Sequence, residues 1–453
     1  MDTLESNPYL AGNFAPVRDE RDDDALDVTG AIPPELTGLL LRNGPNPILD
    51  PDPAAYHWFL GDGMLHGIEL AAGNARYRNR WVRTADACAA LGEPAPLDAP
   101  PAVNDIGAKA NTHVVAHAGR IYALVESSLP TEVRPDLSTV GARDFDGRLT
   151  SAFTAHPKID PISGEMHLFG YDFMGPPFLR YHVVDAKGAL SRTEEIDLPG
   201  PVMMHDFAIT ASSVVWLDLP VVFDVSTFGT RPFPFVWRPE HGARVGVMPR
   251  LGGNADVIWI EIEPCYVYHP LNAYDDADGN VVLDLVKYPD MFASELYGPG
   301  ASAGTRLERW TIDARAGRVA TELLDDASQE FPRVDDRQAG RVHRYGYATE
   351  AGIGEHWVGL GSLRKHDLVR GTVERHDVGA GAAGEPVFVP SAPDAGEDEG
   401  WVLSVVYDAA RDASDVRIID ATDFAAAPVA TVHLPRRVPY GFHGSWVEGA
   451  SLD

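Results

Sequence analysis

Four histidines in this chain lie in short, turn-like settings that are far apart in the sequence. They are His156, His205, His269 and His443, separated by 49, 64 and 174 residues. Each follows an apolar or small residue and precedes proline, aspartate or glycine, residues typical of strand ends. No helix face or hairpin spans such distances, so these side chains meet only if the whole fold converges on one point. Four neutral imidazoles around one point form a metal site, for which iron, copper, zinc and nickel are suitable ions.

A second group of residues supports the metal hypothesis. A metal-bound imidazole usually donates its other N–H to a carboxylate, so acidic residues in apolar surroundings should accompany the histidines. Three glutamates stand in such surroundings, Glu126, Glu330 and Glu385. Neither a cysteine pattern for structural zinc nor an oxygen-rich loop for calcium or magnesium is visible in the sequence.

The remaining histidines are weaker candidates for metal ligands. His433 is predicted to lie in a strand, and His57 and His66 lie either beside a pocket or in the core. His113 and His117 have no partner visible in the sequence. Four further histidines stand among charged residues and are predicted to be solvated: His343, His356, His366 and His376.

Composition narrows the class of protein. The chain has 453 residues, 45% of them hydrophobic, and a formal net charge of −30. Such a charge argues against binding to nucleic acid or anionic lipid and favours a neutral or apolar substrate. Two cysteines, Cys88 and Cys265, are too few for a disulfide framework and are expected to be reduced. The sequence shows no signal peptide and no apolar run near 18 residues, which predicts a cytoplasmic protein without a transmembrane segment.

The elements that must position the histidines are predicted to be strands. Short apolar or alternating runs recur, each closed by a cluster of glycine, aspartate or proline, as in an all-β barrel, sandwich or propeller. Length favours a propeller, because seven four-stranded blades of roughly 50 residues or more use most of the chain. We therefore expect residues 1–453 to form a single domain. The clearest predicted strands span residues 121–125, 166–173, 281–288, 309–312, 318–323, 401–407 and 416–419.

The chain resembles the carotenoid cleavage oxygenases, a family that also contains stilbene cleavers and the retinoid isomerase of the eye. The resemblance runs nearly from end to end, and the four histidine motifs and three glutamate motifs occur in the family's order. Further matching segments span residues 7–10, 30–38, 42–47, 57–64 and 441–446.

This resemblance implies a seven-bladed β-propeller with a cap of loops and short helices over an axial iron site. His156, His205, His269 and His443 would hold one Fe(II) ion per chain, and Glu126, Glu330 and Glu385 would hydrogen-bond three of the imidazoles. The implied enzyme is a dioxygenase that uses O₂ to cleave a C=C bond of an apolar conjugated alkene, giving two carbonyl products. Selectivity would follow from how an apolar tunnel positions one double bond.

One departure from the family bears on the substrate. Members that cleave phenolic stilbenes generally carry a lysine immediately before the first outer glutamate, where this chain has Val125. The departure favours a carotenoid or apocarotenoid. The segment after Phe223 is short compared with carotenoid cleavers that sample membranes, so at most weak peripheral membrane contact is expected. Four aromatic residues there either form an apolar entrance or pack under a loop: Phe228, Phe233, Phe235 and Trp237.

Three alternatives remain open at this point. The same chemistry could act on a stilbene or a small phenylpropanoid, such as isoeugenol or vinylguaiacol, and release an aromatic aldehyde. A propeller can also be a non-catalytic binding scaffold, because a fold does not fix a function. A zinc hydrolase fits poorly, since four histidines leave no tetrahedral vacancy for water.

Overall fold

The computed structural model describes residues 7–95, 107–227, 229–293, 297–352 and 359–453. Strands dominate these residues. In chain order they are β1 (Arg21–Asp23), β2 (Asp27–Gly30), β3 (Gly38–Pro45), β4 (Gly63–Ala71), β5 (Asn74–Trp81), β6 (His113–His117), β7 (Arg120–Leu124), β8 (Thr131–Val133), β9 (Thr139–Ala142), β10 (Lys158–Ile159), β11 (Met166–Tyr171), β12 (Leu179–Val184), β13 (Leu190–Ile196), β14 (Ala208–Ile209), β15 (Ser213–Asp218), β16 (Val221–Phe223), β17 (Phe235–Trp237), β18 (Ala243–Pro249), β19 (Ile258–Ile262), β20 (Pro270–Asp275), β21 (Val281–Lys287), β22 (Arg306–Asp313), β23 (Arg318–Asp325), β24 (Gln329–Arg333), β25 (Tyr345–Gly352), β26 (Gly359–Asp367), β27 (Thr372–His376), β28 (Ala382–Ala383), β29 (Val387–Pro390), β30 (Gly400–Asp408), β31 (Ala413–Asp420), β32 (Ala430–His433) and β33 (Gly444–Glu448).

Helical structure in the described residues is confined to short pieces. The α-helix α1 spans Ala85–Leu91 and is capped by the Thr84 side chain at its start and by Gly92 in the left-handed conformation at its end. The 3₁₀-helices are Pro8–Leu10, Gly12–Phe14, Trp58–Leu60, Val225–Thr227, Pro239–His241, Asn254–Asp256, Asp336–Gln338 and Ala421–Asp423. No helix among the described residues is both long enough and apolar enough to cross a bilayer.

The strands form a seven-bladed β-propeller, which confirms the predicted fold. In the described residues the blades are blade 1 (β1, β5, β4, β3, β33), blade 2 (β6–β9), blade 3 (β10–β13), blade 4 (β14, β15, β18, β19), blade 5 (β20–β23), blade 6 (β24–β27) and blade 7 (β28 and β29 beside β30, then β31, β32, β2). Two pairings close the ring. The C-terminal β33 pairs with β3 in blade 1, and the N-terminal β2 pairs with β32 in blade 7.

Local sequence explains why consecutive strands fold back on one another. Between β20 and β21, the Asp276 carboxylate accepts the backbone N–H groups of Asp278 and Asn280 at 2.9 and 2.8 Å. Gly279 has a φ of +80°, a conformation that favours glycine. The turn therefore sets the antiparallel register in which Asp275 faces Val281.

The histidines predicted to be solvated are instead buried, so that prediction was wrong for those the structure describes. His343, His366 and His376 are each 4% exposed or less, and His356 lies outside the described residues. His366 Nε2 lies 2.9 Å from Asp325 of the preceding blade. His343 Nε2 lies 3.2 Å from Asp284 of the same preceding blade, whereas His376 Nδ1 lies 3.1 Å from the backbone carbonyl of Phe424 in the following blade.

Connections on one face of the ring form the cap. It comprises residues 46–62, 82–95, 172–178, 219–237 and 288–301 as far as these are described, and it includes the hairpin of β16 and β17. Its parts are tied together by the Trp58 N–H, which donates to the Tyr297 carbonyl at 2.8 Å. The His57 ring stacks on Phe233 with ring centroids 4.6 Å apart. The cap therefore covers one end of the propeller axis with aromatic side chains.

Candidate metal centre

The four predicted histidines each precede an innermost strand of a blade. His156 and His205 lie two and three residues before β10 and β14, and His269 and His443 directly precede β20 and β33. They therefore stand where strands begin, whereas the sequence pattern had placed them where strands end. Proline and glycine after a histidine suit the first residue of a strand as well as a turn, which explains the error.

The structure brings these four side chains together on the propeller axis. Their ligand atoms all lie within 4.8 Å of one another. The Nε2 atom of His205 lies 3.0 Å from Nε2 of His156 and 3.3 Å from Nε2 of His269. The His443 ring centroid lies 4.6 and 4.7 Å from those of His156 and His269. The convergence inferred from the spacing is present in the fold.

The three predicted glutamates come from the blades that provide no histidine of this cluster. Glu126 follows β7 of blade 2, Glu330 lies in β24 of blade 6, and Glu385 lies between β28 and β29 of blade 7. Each carboxylate is buried and accepts a hydrogen bond from an imidazole Nδ1. The pairs are His205 with Glu126 at 2.7 Å, His269 with Glu330 at 2.6 Å and His443 with Glu385 at 2.8 Å.

Each glutamate also has a second donor that fixes its orientation. The hydroxyls of Tyr171 and Tyr288 donate to Glu126 and Glu330 at 2.9 and 2.7 Å. For Glu385 the second donor is the Gly444 N–H at 2.8 Å, and the Arg333 guanidinium lies 3.1 Å away. Buried carboxylates with both oxygens engaged hold the imidazole rings in one rotamer and one tautomer.

The donor set fits a bound cation. Since the carboxylates hold the proton on Nδ1 of His205 and His269, both Nε2 atoms direct lone pairs toward the axis. Two lone pairs only 3.3 Å apart repel each other unless a positive charge, either a proton or a metal ion, lies beside them. Neutral imidazole is a good ligand for iron, copper, zinc and nickel, so the cluster can hold such an ion.

Burial favours the neutral form of two imidazoles of the cluster and is opposed by a carboxylate at a third. Burial, reinforced by the neighbouring imidazoles, holds the pKa of His156 and His443 well below the usual value. For His269, burial also opposes protonation, but the Glu330 carboxylate outweighs it and raises the pKa. Neutral imidazole is the form that binds metals.

His156 differs from the other three histidines. Its nearest carboxylate is that of Asp206, whose Oδ2 lies 4.0 Å from Nδ1, beyond hydrogen-bonding distance. The Asp206 side chain is 2% exposed and is held by the Lys158 ammonium at 2.7 Å. Sequence reasoning missed this ion pair, because neither residue stands in an apolar run.

An apolar cavity of about 410 Å³ lies between the cluster and the cap. Its floor contains His205, His269 and His443, together with Glu126 and Glu330. Its walls are largely aromatic, with Trp58, Phe59, Phe173, Tyr171, Phe223, Phe233, Phe235, Tyr268, Tyr288, Phe331 and Phe442. This arrangement suits a flat, apolar, conjugated molecule lying over the histidines.

Some of the residues that the sequence indicated for the substrate site line the apolar cavity. Val125 lines it beside Glu126, as do Phe233 and Phe235 of the expected entrance. Trp237 lies in β17 and packs against the core, and Phe228 lies outside the described residues. Lys109 also lines the cavity, with Nζ 2.9 Å from Asp62, and was not singled out from the sequence.

A second cavity, of about 420 Å³, lies on the side of the cluster away from the cap. We call it the axial cavity. His156 is in its wall, and His269 and His443 are shared with the apolar cavity. Charged groups line it, including Lys158, Asp206, Arg333, Asp336, Arg337 and Glu385. The histidine cluster therefore separates the aromatic cavity from one that is lined by charged as well as apolar residues.

Comparisons with known proteins agree with this geometry. The family described as "Retinal pigment epithelial membrane protein" matches residues 14–448. A carotenoid cleavage oxygenase of Mycobacterium tuberculosis is 43% identical, over 97% of this chain and 97% of the relative. An isoeugenol monooxygenase of Pseudomonas nitroreducens is 33% identical, over 98% of each chain. The crystal structure of Pseudomonas brassicacearum lignostilbene dioxygenase superposes with a TM-score of 0.88 at 29% identity, covering 99% of this chain and 100% of that one.

Proposed function

The chain belongs to the carotenoid cleavage oxygenase family, and on that premise we propose that it cleaves a C=C bond of a carotenoid or apocarotenoid with O₂. The two alkene carbons each become a carbonyl carbon, and the two oxygen atoms of O₂ balance the two products. As a member of a family of oxygenases, the chain is an enzyme, which argues against the non-catalytic scaffold.

The proposed activity depends on one observation. A cluster of four imidazoles able to hold a metal forms the floor of an aromatic cavity. Cleaving a conjugated alkene requires the reacting double bond to be held over a redox-active centre while water is excluded. The cavity supplies the apolar walls, and the cluster supplies the donors.

We propose that His156, His205, His269 and His443 bind one Fe(II) ion per chain. When bound, the iron would supply the redox chemistry that lets O₂ react with an alkene. Glu126, Glu330 and Glu385 orient three of the imidazoles and offset part of the ion's charge. The aromatic walls restrict the substrate to poses in which one double bond faces the histidines.

Val125 supports a polyene over a phenolic substrate. Its isopropyl group lies in the cavity wall next to Glu126, where a lysine would place a cation able to bind a phenolic oxygen. An apolar group there offers nothing to a phenolate and leaves its charge unpaired. A carotenoid segment is uncharged and needs no cation at this position.

A second candidate is a phenylpropanoid such as isoeugenol, cleaved by the same chemistry to an aromatic aldehyde. Lys109 places an ammonium group in the cavity wall, and the isoeugenol monooxygenase aligns over 98% of both chains. Against it, Lys109 is already engaged by Asp62 at 2.9 Å and Asp86 at 3.5 Å. The polyene therefore remains the preferred substrate class.

The test compares products by mass spectrometry. Iron-loaded protein is incubated with O₂ and an apocarotenal, isoeugenol or resveratrol in separate reactions. We expect two carbonyl products from the apocarotenal. Aldehyde from isoeugenol or resveratrol alone would refute the carotenoid assignment. The variant Val125→Lys should gain activity on resveratrol, and Leu60→Lys, which adds a cation elsewhere in the same wall, serves as its matched control.

We further propose that residues 1–453 act as one domain. Blade 1 combines N-terminal strands with β33, and blade 7 takes in β2. Deleting residues 444–453 would remove β33, and we expect the shortened chain to lose both its cooperative melting transition and metal binding. Retention of both would contradict the proposal.

A further inference from the structure

We infer that the axial cavity is the route by which the metal ion reaches and leaves the histidine cluster, independently of the apolar cavity that takes the alkene. The inference rests on the proposed four-histidine metal centre. It assigns a function to the second cavity, which the proposed reaction does not use.

The exposure of the charged groups follows a gradient along this route. The Asp336 side chain is 78% exposed at the outer end, and Arg333 and Lys158 are 16% and 24% exposed. Asp206 and Glu385 are 2% exposed at the inner end, beside the histidines. A hydrated divalent ion entering here meets the Asp336 carboxylate at the mouth and the Asp206 and Glu385 carboxylates at the inner end, whose oxygens can replace some of its water molecules.

The apolar cavity offers no comparable series of ligands. Its lining carboxylates are Asp86, which is 58% exposed and lies 3.5 Å from the Lys109 ammonium, and Glu126 and Glu330 at the floor, which are already bound to imidazole and tyrosine donors. Between the cap and that floor the walls are mostly aromatic rings. An ion crossing this chamber would have to give up hydration without replacement, which is strongly unfavourable. A substrate in the apolar cavity would also block the passage of the ion.

His113 provides a donor on the axial side. It lines the axial cavity, and its ring centroid lies 5.1 Å from that of His443 and 5.9 Å from that of His156. Its Nδ1 lies 2.8 Å from the Ala155 carbonyl and so carries the proton, which leaves the Nε2 lone pair free. That Nε2 is buried without a hydrogen-bond partner among the described residues. Such a nitrogen can bind the ion briefly before transfer to the cluster.

The ion pairs on this side keep the route electrically balanced. Lys158 is paired with Asp206 at 2.7 Å, and Arg333 with Glu385 at 3.1 Å. Paired cations repel an entering ion less than free ones would. Exchange of partners then lets a carboxylate turn toward the ion, as Asp206 could toward His156 from its present 4.0 Å.

The experiment measures uptake of Co²⁺ by metal-free protein, by stopped-flow visible absorbance, so that no substrate or turnover is needed. Ala339→Trp narrows the axial cavity, whereas Leu60→Trp places the same side chain in the wall of the apolar cavity. We expect Ala339→Trp to slow both uptake and release by roughly tenfold or more, about 1.4 kcal/mol in the barrier. The equilibrium Kd should stay unchanged, and Leu60→Trp should leave both rates unchanged.

Two further variants test the path itself. Asp336→Asn at the mouth should slow uptake at low salt only, because an exposed charge acts through screened steering. His113→Leu should slow uptake with little change in Kd. Slowing by Leu60→Trp but not Ala339→Trp would overturn the inference while leaving the proposed function intact, as would unaltered rates in all variants. Failure of the unaltered chain to bind Co²⁺ would overturn both.

Discussion

Replacing Glu385 with glutamine isolates the contribution of one carboxylate to metal binding. Gln keeps the size of the side chain and one acceptor oxygen for the His443 Nδ1–H, now 2.8 Å from Oε1. What it removes is the negative charge, which polarises the imidazole and offsets the charge of the ion. The perturbation therefore tests the electrostatic role of Glu385 with little change in packing.

The magnitude follows from the hydrogen bond that changes. A hydrogen bond to a charged acceptor contributes about 1.5–3 kcal/mol and a neutral one about 0.5–1.5 kcal/mol. The difference of about 1–2 kcal/mol corresponds to roughly 5- to 30-fold in Kd. This range overlaps the 10- to 100-fold losses typical of the outer partners of metal ligands. We expect Glu385→Gln to weaken metal binding by about tenfold.

The assay is anaerobic titration of metal-free protein with Fe²⁺ in competition with a chelating indicator. Glu308→Gln is the matched control, because Glu308 is also buried, 3.0 Å from the Trp310 Nε1 and 3.3 Å from Lys287, but lies outside the histidine cluster. Loss of the partner of Arg333 can also lower stability, so thermal melting is measured in parallel. A Kd within twofold of the unaltered chain, or an equal loss in Glu308→Gln, would refute the reasoning.

Three other predictions concern single side chains. His205→Ala should abolish metal retention during gel filtration, because it removes a ligand and leaves Glu126 buried without its imidazole; a normal metal content would contradict this. Burial opposes ionisation of Asp325, but hydrogen bonds from His366 and Arg364 outweigh it and hold its pKa below the usual value, so its stabilising effect is present above about pH 4 and is lost as the pH falls further. The difference in melting temperature between the chain and Asp325→Asn should therefore be constant at neutral pH and shrink in acid, and a constant difference at all pH values would disprove it. Burial raises the pKa of Cys265 to about 12, so this thiol should react with a disulfide reagent at pH 8 only after unfolding, and rapid labelling of the folded protein would argue otherwise.

The sequence predicted the convergence of the four histidines, because residues able to bind a metal ion stand in recognisable local settings. His269 before Pro270 and Glu126 at the end of an apolar run are unusual in isolation, and the family resemblance ordered them. The strand bounds were close but shifted, as for 121–125 against the observed Arg120–Leu124. Such shifts arise because hydrogen bonding ends a strand, and this is only loosely related to where apolar residues stop.

The axial cavity could not be predicted in the same way. Its wall is made by residues such as His113 in β6, Asp206 just before β14 and Ala339 just after the 3₁₀-helix Asp336–Gln338. His113 and Ala339 have no sequence neighbourhood that distinguishes them from ordinary strand or loop residues, and Asp206 stands out only as the residue after His205. Which side chains face the axis depends on the twist and tilt of each blade, which a single sequence does not specify. The burial of His343 and His366 was missed because a single sequence does not show which residues lie in the seams between blades.

The way the ring closes links the histidine cluster to the completeness of the fold. His443 directly precedes β33, and β33 reaches its place only by pairing with β3 at the other end of the chain. The fourth imidazole therefore joins the cluster when the propeller closes and not before. A metal ion that binds all four histidines binds the closed ring in preference to the open one, so its binding energy stabilises the closure. The ring in return holds seven side chains from seven blades at one point, which no single hairpin in the chain could do.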